Sequence, residues 1–310
     1  MIDSFSLQLL QFHAQFPILV SSIGLIFGLL IGSFLNVVVH RLPIMMERDW
    51  REQAQEFLDP EVERETVTEA KGEEKDEEAP DGETFNLVFP NSHCPTCKHN
   101  IKPWENIPVI SYLFLGGKCS SCKTHISLRY PIVELLTGIL TAVVVYKFGL
   151  TLTSLACCVL TWSLISLSLI DYDTQFLPDN ITLPLLWLGL IVNSFSLVAH
   201  FDYAFWGAII GYLSLWSVNA VYRLVRGHDG MGYGDFKLLA LLGAWMGWQA
   251  LPLVIILSSF AGAVIGGSLI ALGRDKAKPI PFGPYLAIAG WISLIWGPEI
   301  TMSYLRFAAM

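Results

Sequence analysis

Two aspartates stand where an apolar stretch meets a polar one. Leu167-Ser168-Leu169-Ile170 runs into Asp171-Tyr172-Asp173-Thr174-Gln175-Phe176-Leu177-Pro178-Asp179, and Gly230-Met231-Gly232-Tyr233-Gly234-Asp235-Phe236-Lys237 opens a second apolar stretch. An ionisable group bordering hydrocarbon is costly unless it has a partner or a task. Two carboxyl groups brought together can share one proton: one acts as base toward a water and the other donates a hydrogen bond to a scissile carbonyl. Asp171 and Asp235 are therefore candidates for a catalytic dyad. The glycines before Asp235 remove side chains from the path of an extended peptide. Aspartates at helix ends also cap helices or face water. Asp179, just before an apolar run, reads as such a cap, and Asp173 lies two residues farther into the loop than Asp171.

A second constellation is built from thiols. Cys94-Pro-Thr-Cys97 and Cys119-Ser-Ser-Cys122 are two CxxC pairs separated by 21 residues. Two such knuckles can set four thiolates in a tetrahedron around Zn²⁺. A closed four-sulfur site leaves no position for a reacting water, so a zinc here is structural. Cys157 and Cys158 fall in the middle of an apolar run and read as small packing residues.

These groups have to be held by elements that the composition already limits. Of the 310 residues, 53% are hydrophobic and 15% charged, with a mean hydropathy of +0.53. A soluble domain carries about a quarter charged residues. The values argue against a soluble enzyme, and the net charge of −8 argues against a nucleic-acid binder. Residues 41–129 hold 11 of the 19 Lys+Arg and 17 of the 27 Asp+Glu, so the chain is a membrane body with one charged insert.

A spanning helix needs about 20 mostly apolar residues. Runs near 18–40, 131–149, 152–170, 181–199, 203–222, 236–250, 251–272 and 283–298 predict an all-α polytopic membrane protein of about eight transmembrane helices. The sixth run is short. It leaves a re-entrant pair with the seventh open, although Trp245 and Trp248 suit an interfacial anchor at a turn. With the N-terminus outside, the inner segments 41–130, 171–180, 223–235 and 273–282, with Lys237 at the edge, carry 17 of the 19 basic residues. The positive-inside rule then places both termini outside and the insert in the cytoplasm, a reducing compartment that keeps the thiols free for metal. The first 17 residues contain no Lys or Arg, so they lack the basic start of a cleavable signal peptide and read as retained.

The predicted layout is an N-terminal segment with the first span (1–40), a cytoplasmic insert (41–130) and a membrane-embedded body (131–310). Within the insert, 90–128 is the zinc-binding part, and 47–83 has 16 acidic residues among 37. Such a stretch buries too little apolar surface to offset its ordering entropy. It reads as a solvated excursion, dispensable for catalysis.

The motifs together carry a resemblance. GSFLNVVVHRLP at 32–43, CPTC and CSSC, RYPIVELLTG at 129–138, DYDTQFLPD at 171–179, GMGYGDFK at 230–237 and IPFGPYLA at 280–287 resemble, in order, the bacterial type IV prepilin peptidases. These are the leader peptidase/N-methyltransferases of pilus and type II secretion systems. The resemblance implies that Asp171 and Asp235 are the catalytic aspartates. It implies cleavage of type IV prepilin or pseudopilin precursors after a glycine, at the cytoplasmic face of the bacterial inner membrane. It also implies methylation of the new N-terminal residue by S-adenosylmethionine. Methylation rests on resemblance alone, because no glycine-rich strand–turn–helix is present. The expected partners are the precursors and membrane lipid, with no nucleic acid. A peptidase-only Gly-x-Gly-Asp protease and a transporter with paired aspartates are the alternatives, together with a zinc-bearing membrane scaffold.

Other residues carry weaker expectations. Glu134 is expected in the first turn of its helix, either favouring the helix dipole or sharing in substrate or methyl-donor binding. Lys237 is expected to snorkel to the interface. Asn36 and Arg41 are placed to hold the insert against the membrane body, and Arg274, Lys276 and Lys278 in loop 273–282 either anchor the membrane face or neutralise a methyl donor's carboxylate.

Overall fold

An apolar run that leaves water must satisfy its backbone polar groups within itself, and a helix does so. The computed structural model describes residues 2–58, 85–273 and 280–308, and it is helical at every apolar run. The described helices are α1 (Ile2–Gln15), α2 (Pro17–Leu58), α3 (Ile110–Phe114), α4 (Arg129–Phe148), α5 (Leu152–Thr174), α6 (Asp179–Ser194), α7 (Phe201–Arg226), α8 (Tyr233–Met246), α9 (Leu251–Ala271) and α10 (Gly283–Ala308). No strand forms among the described residues. Two isolated antiparallel bridges, His93 with Asn100 and Lys118 with His125, lie in the insert.

The protein is all-α and polytopic, and the described helices bear out fewer than the about eight expected spans by length and composition. Five helical segments, in α2, α4, α5, α7 and α9, are long and apolar enough to cross a membrane. The helices α6 and α8 have 16 and 14 residues, short of the about 20 that a crossing needs. In α10, glycine, proline, serine and tryptophan dilute the aliphatic residues over its 26 positions.

The boundary expected at residue 40 is also absent as a break. α2 continues through Pro43 to Leu58, 42 residues or about 63 Å of helix, twice what a bilayer requires. The acidic stretch expected to begin at residue 47 therefore starts as helix. Its residues 59–83 lie outside the described residues, as do Arg274, Lys276 and Lys278.

Glycines let two helix pairs touch backbone to backbone. A Cβ on Gly28 would lie 2.8 Å from the Gly138 Cα, and one on Gly32 would lie 2.7 Å from the Glu134 Cα, so α2 and α4 lie against each other along the Gly28–Gly32 face. Gly207 of α7 and Gly243 of α8 meet in the same way, each Cβ falling within 2.3 Å of the other's carbonyl oxygen.

The buried core is centred on α8. Phe236, Leu238, Leu239, Leu241, Leu242 and Trp245 are fully buried. Trp245 is thus no interfacial anchor: its indole N–H donates to the Leu185 carbonyl at 2.9 Å. Two buried asparagines hold the ends of α8. Asn193 of α6 donates to the Ala244 and Trp245 carbonyls at 2.8 and 2.9 Å. Asn219 of α7 accepts from the Gly230 N–H at 2.8 Å and donates to Asp229 at 2.9 Å. Cys157 and Cys158 are buried in the same core.

Connections between elements gather at the two ends of the bundle. At one end, Lys147 of α4 bonds to Glu299 of α10, and Thr153 of α5 donates to the Leu197 carbonyl. At the other end lie the insert, the loop after α5, the loop before α8 and the start of α10.

Candidate active site

Asp171 occupies the last turn of α5 and Asp235 the first turn of α8; both are buried. The positions differ electrically. A carboxylate in the first turn is favoured by the helix dipole, and one in the last turn is not. Asp171 is compensated from outside its helix: the Gly283 N–H, at the positive start of α10, donates to its Oδ2 at 3.0 Å. The two carboxylates lie near enough to repel one another electrostatically.

Leu177 bridges the two segments. A Cβ on Gly234 would sit 2.9 Å from the Leu177 Cβ, and a Cβ on Gly283 would sit 3.4 Å from the Leu177 Cδ1. The same added Cβ on Gly283 would meet the Asp171 Oδ2 at 2.6 Å. Gly234 and Gly283 are thus close-approach positions around the pair. A buried pair of interacting carboxyl groups with missing side chains beside it can bind an extended peptide and activate a water against it.

The neighbouring acids have other work. Asp173 accepts both guanidinium nitrogens of Arg129, one at 3.0 Å, and so ties the end of α5 to the start of α4. Asp179 is the first residue of α6, and Pro178 holds the N-cap position, so the cap expected of Asp179 is not made. Its two carboxylate oxygens instead each accept from the Lys237 Nζ at 2.7 Å. That pairing also corrects the expectation that Lys237 snorkels. The sequence reasoning missed these links, as it missed Gly283, Leu177 and Asn219. The IPFG motif at 280–283 was the one signal pointing to Gly283, and it does not reveal that a backbone N–H is the working group.

The cysteine knuckles come together as expected. The Sγ atoms of Cys94, Cys97, Cys119 and Cys122 all lie within 4.8 Å of one another. Cys94 to Cys122 is 3.7 Å and Cys97 to Cys119 is 3.9 Å. Zn–S bonds of about 2.3 Å in a tetrahedron set sulfurs about 3.8 Å apart, so the donor set fits.

Each knuckle is the same turn. The residue after its second cysteine, Lys98 or Lys123, has a positive φ (55° and 61°) and donates its N–H back to the first cysteine's carbonyl. Hydrogen bonds from the Thr124 side chain and backbone hold the Cys122 thiol down to about 6. Backbone bonds at Cys97 and Thr96 lower that of Cys94. Cys97 goes the other way: despite a backbone hydrogen bond from His99, burial and the neighbouring thiols push it up to about 11. A divalent cation bound here would displace its proton.

Buried Arg41 and Glu134 fasten the insert to the helices, and half-buried Asn36 ties α2 to the start of α4. Arg41 donates to the Asn86 and Pro90 carbonyls at 2.9 and 2.6 Å, and Asn36 donates to the Tyr130 carbonyl at 3.2 Å. Glu134 lies in the second turn of α4 rather than the first; it is buried, and its Oε2 accepts the Val109 N–H at 2.8 Å.

The family model described as Bacterial Peptidase A24 N-terminal domain matches residues 26–148, and that described as Type IV leader peptidase family matches residues 158–267. The first match contains all four knuckle cysteines; the second contains Asp171 and Asp235. Proteins named prepilin leader peptidase/N-methyltransferase are similar over almost the whole chain. That of Pseudomonas aeruginosa is 56% identical, covering 97% of this chain and 98% of its own. That of Stutzerimonas stutzeri is 54% identical, covering 97% and 99%. That of Neisseria gonorrhoeae is 48% identical, covering 86% and 87%. No solved structure matches. On this similarity, which runs through both the cysteine knuckles and the aspartate motifs, the chain belongs to the type IV leader peptidase family.

Proposed function

We propose that this protein removes the leader from type IV prepilin or pseudopilin precursors and then methylates the new N-terminal amine. Asp171 and Asp235 are the catalytic pair. The observation that carries the assignment is the buried approach of these two carboxylates, from different helices, around Gly234 and Gly283. One carboxylate takes a proton from water as the water oxygen attacks the scissile carbonyl. The other, protonated, bonds to that carbonyl oxygen. When the C–N bond breaks, a proton passes to the leaving amine. Gly283 holds the Asp171 carboxylate in one orientation throughout.

The reaction faces the cytoplasm of a bacterial inner membrane. This orientation is supported by the positive-inside count, since 17 of the 19 basic residues fall in the sequence segments 41–130, 171–180, 223–235 and 273–282 together with Lys237. The division into 1–40, 41–130 and 131–310 is functional rather than a set of breaks in the chain. Cys94, Cys97, Cys119 and Cys122 hold a zinc that fixes the fold of 90–128 and takes no part in the chemistry. S-adenosylmethionine supplies the methyl group. Among the described residues there is no sheet, and hence no strand–turn–helix cradle for it, so this half of the function rests on the relatives' names.

The experiment is cleavage of a pilin precursor by purified protein, followed on a gel. Asp171→Asn and Asp235→Asn keep size but cannot act as base, and each should lose at least about a hundredfold in rate. Asp173→Asn and Asp179→Asn break only the links to Arg129 and Lys237 and should retain most activity. An inactive Asp173→Asn beside an active Asp171→Asn would overturn the assignment.

A further inference from the structure

The insert carries apolar side chains that the helical body leaves uncovered. Trp104, Ile107, Ile110, Leu113 and Phe114 are exposed, Leu113 and Phe114 to 72% and 88%. They lie on α3 and the turn before it, outside the spanning segments themselves. A patch of this kind on a polar domain marks an interaction surface.

Its height in the molecule identifies what it touches. Arg129 begins α4 and pairs with Asp173 at the polar edge of the bundle. Glu134 lies five residues farther along, about 7.5 Å deeper. Its carboxylate binds the Val109 N–H, the residue that precedes α3. Val109 adopts φ 61° there, which a β-branched residue avoids unless its surroundings impose it. The start of α3 is thereby pinned level with the second turn of a spanning helix. Leu128, Ile132 and Leu135 of the α4 segment are exposed on the adjoining span.

The charge around the patch points the same way. Residues 85–130 contain Lys98, Lys102, Lys118, Lys123 and Arg129 against one acid, Glu105. Glu105 is already engaged by the Lys102 N–H and His99. The Lys102 ammonium lies 5.4 Å over the Trp104 ring. Lys118 follows a turn that folds back on α3, where the Gly117 N–H donates to the Tyr112 carbonyl at 2.9 Å. Apolar tips flanked by ammonium groups suit the boundary between acyl chains and anionic headgroups, where interfacial segments bury about 5–10 Å.

We propose that residues 104–114 form a foot resting in the headgroup–acyl boundary of an anionic bilayer beside α4. The foot ties the insert to the dyad's edge of the membrane, because its start is held by Glu134 of α4 and α4 pairs through Arg129 with Asp173, two residues after Asp171.

The test uses the full chain in lipid nanodiscs. Phe114 is replaced by a trifluoromethyl-phenylalanine, and exposed Thr96 in the first knuckle is replaced likewise as a control. Broadening of each ¹⁹F signal is measured with a nitroxide on the acyl chain and with a water-soluble gadolinium chelate. In phosphatidylglycerol-rich discs, position 114 should respond severalfold more to the nitroxide, and position 96 to the chelate. Neutral phosphatidylcholine discs, or the Lys102→Gln/Lys118→Gln variant, should move position 114 toward the chelate. Three results overturn the proposal: position 114 as open to the chelate as 96, position 114 shielded from both reagents by a protein partner, or no response of 114 to lipid charge.

Discussion

A backbone N–H from another helix holds one member of the dyad. Asp171 sits at the unfavourable end of its own helix and keeps its place through Gly283 of α10. The contact leaves no room for a side chain: a Cβ at 283 would lie 2.6 Å from the carboxylate oxygen. Gly283→Ala should therefore displace Asp171 and cut precursor cleavage at least tenfold, comparable to removing one preorganised donor. Since Trp291 of α10 also donates to the Thr161 hydroxyl of α5 at 3.1 Å, the variant should still insert, checked by its elution as a single species in detergent. Near-normal cleavage would mean that Asp171 needs no such support. The aspartates stood out as candidates because each stands at a hydrophobic border, Asp235 with glycines just before it. Gly283 was not, because it meets Asp171 across 112 residues and acts through a group that every residue but proline possesses. Lys237 and Asp179 were misread for a related reason. Each sits where a solvent-facing role is the ordinary one, and only the fold shows them 2.7 Å apart.

Among the elements, the helices were legible by position, and their lengths were less so. α8 illustrates why. Its run is apolar on every side, which suggests a span, yet it has 14 residues and its tryptophan is fully buried. α8 is apolar because other helices surround it, with Asn193 and Asn219 holding its ends. Hydropathy alone does not separate burial in protein from burial in lipid. The cysteine knuckles were the opposite case. CxxC spacing dictates local turn geometry, so both turns and their approach followed from the sequence. A zinc there contributes directly to the folding of the insert, which has little core of its own. Protein purified without chelator should carry about one zinc per chain. Cys94→Ser with Cys119→Ser should lose it, and strong chelation should expose 90–128 to limited proteolysis while the membrane helices stay intact. Purified protein with no zinc, or an insert equally resistant after chelation, would refute a structural metal.

At the scale of the molecule, α2 joins what the sequence separated. Composition changes sharply near residue 41, and that shift suggested a span followed by a loose acidic excursion. Backbone geometry follows a different rule: Pro43 removes a single helical hydrogen bond, and the helix continues to Leu58. The extension reaches the end of the bundle that holds Asp171 and Asp235. Trp50 stacks edge-on against Phe176 at 5.1 Å, and Phe176 adjoins Leu177, the residue wedged between Gly234 and Gly283. The extension also meets the insert, with Arg48 lying 4.5 Å over the Phe85 ring. Of the acidic stretch, the part up to residue 58 makes these contacts, and its removal is expected to matter more than that of the rest. Deleting residues 60–82 removes no knuckle, no aspartate of the dyad and none of these contacts, so cleavage of a saturating precursor should stay near that of the intact protein. Deleting residues 50–82 takes Trp50 as well and leaves the loop 175–177 without its brace. That variant should cleave severalfold more slowly, and Trp50→Ala alone should reproduce most of the loss. Rates for the three variants against one precursor separate the possibilities. Equal loss from both deletions would place the requirement in 60–82, and full activity in both would show that the α2 extension does not support the site.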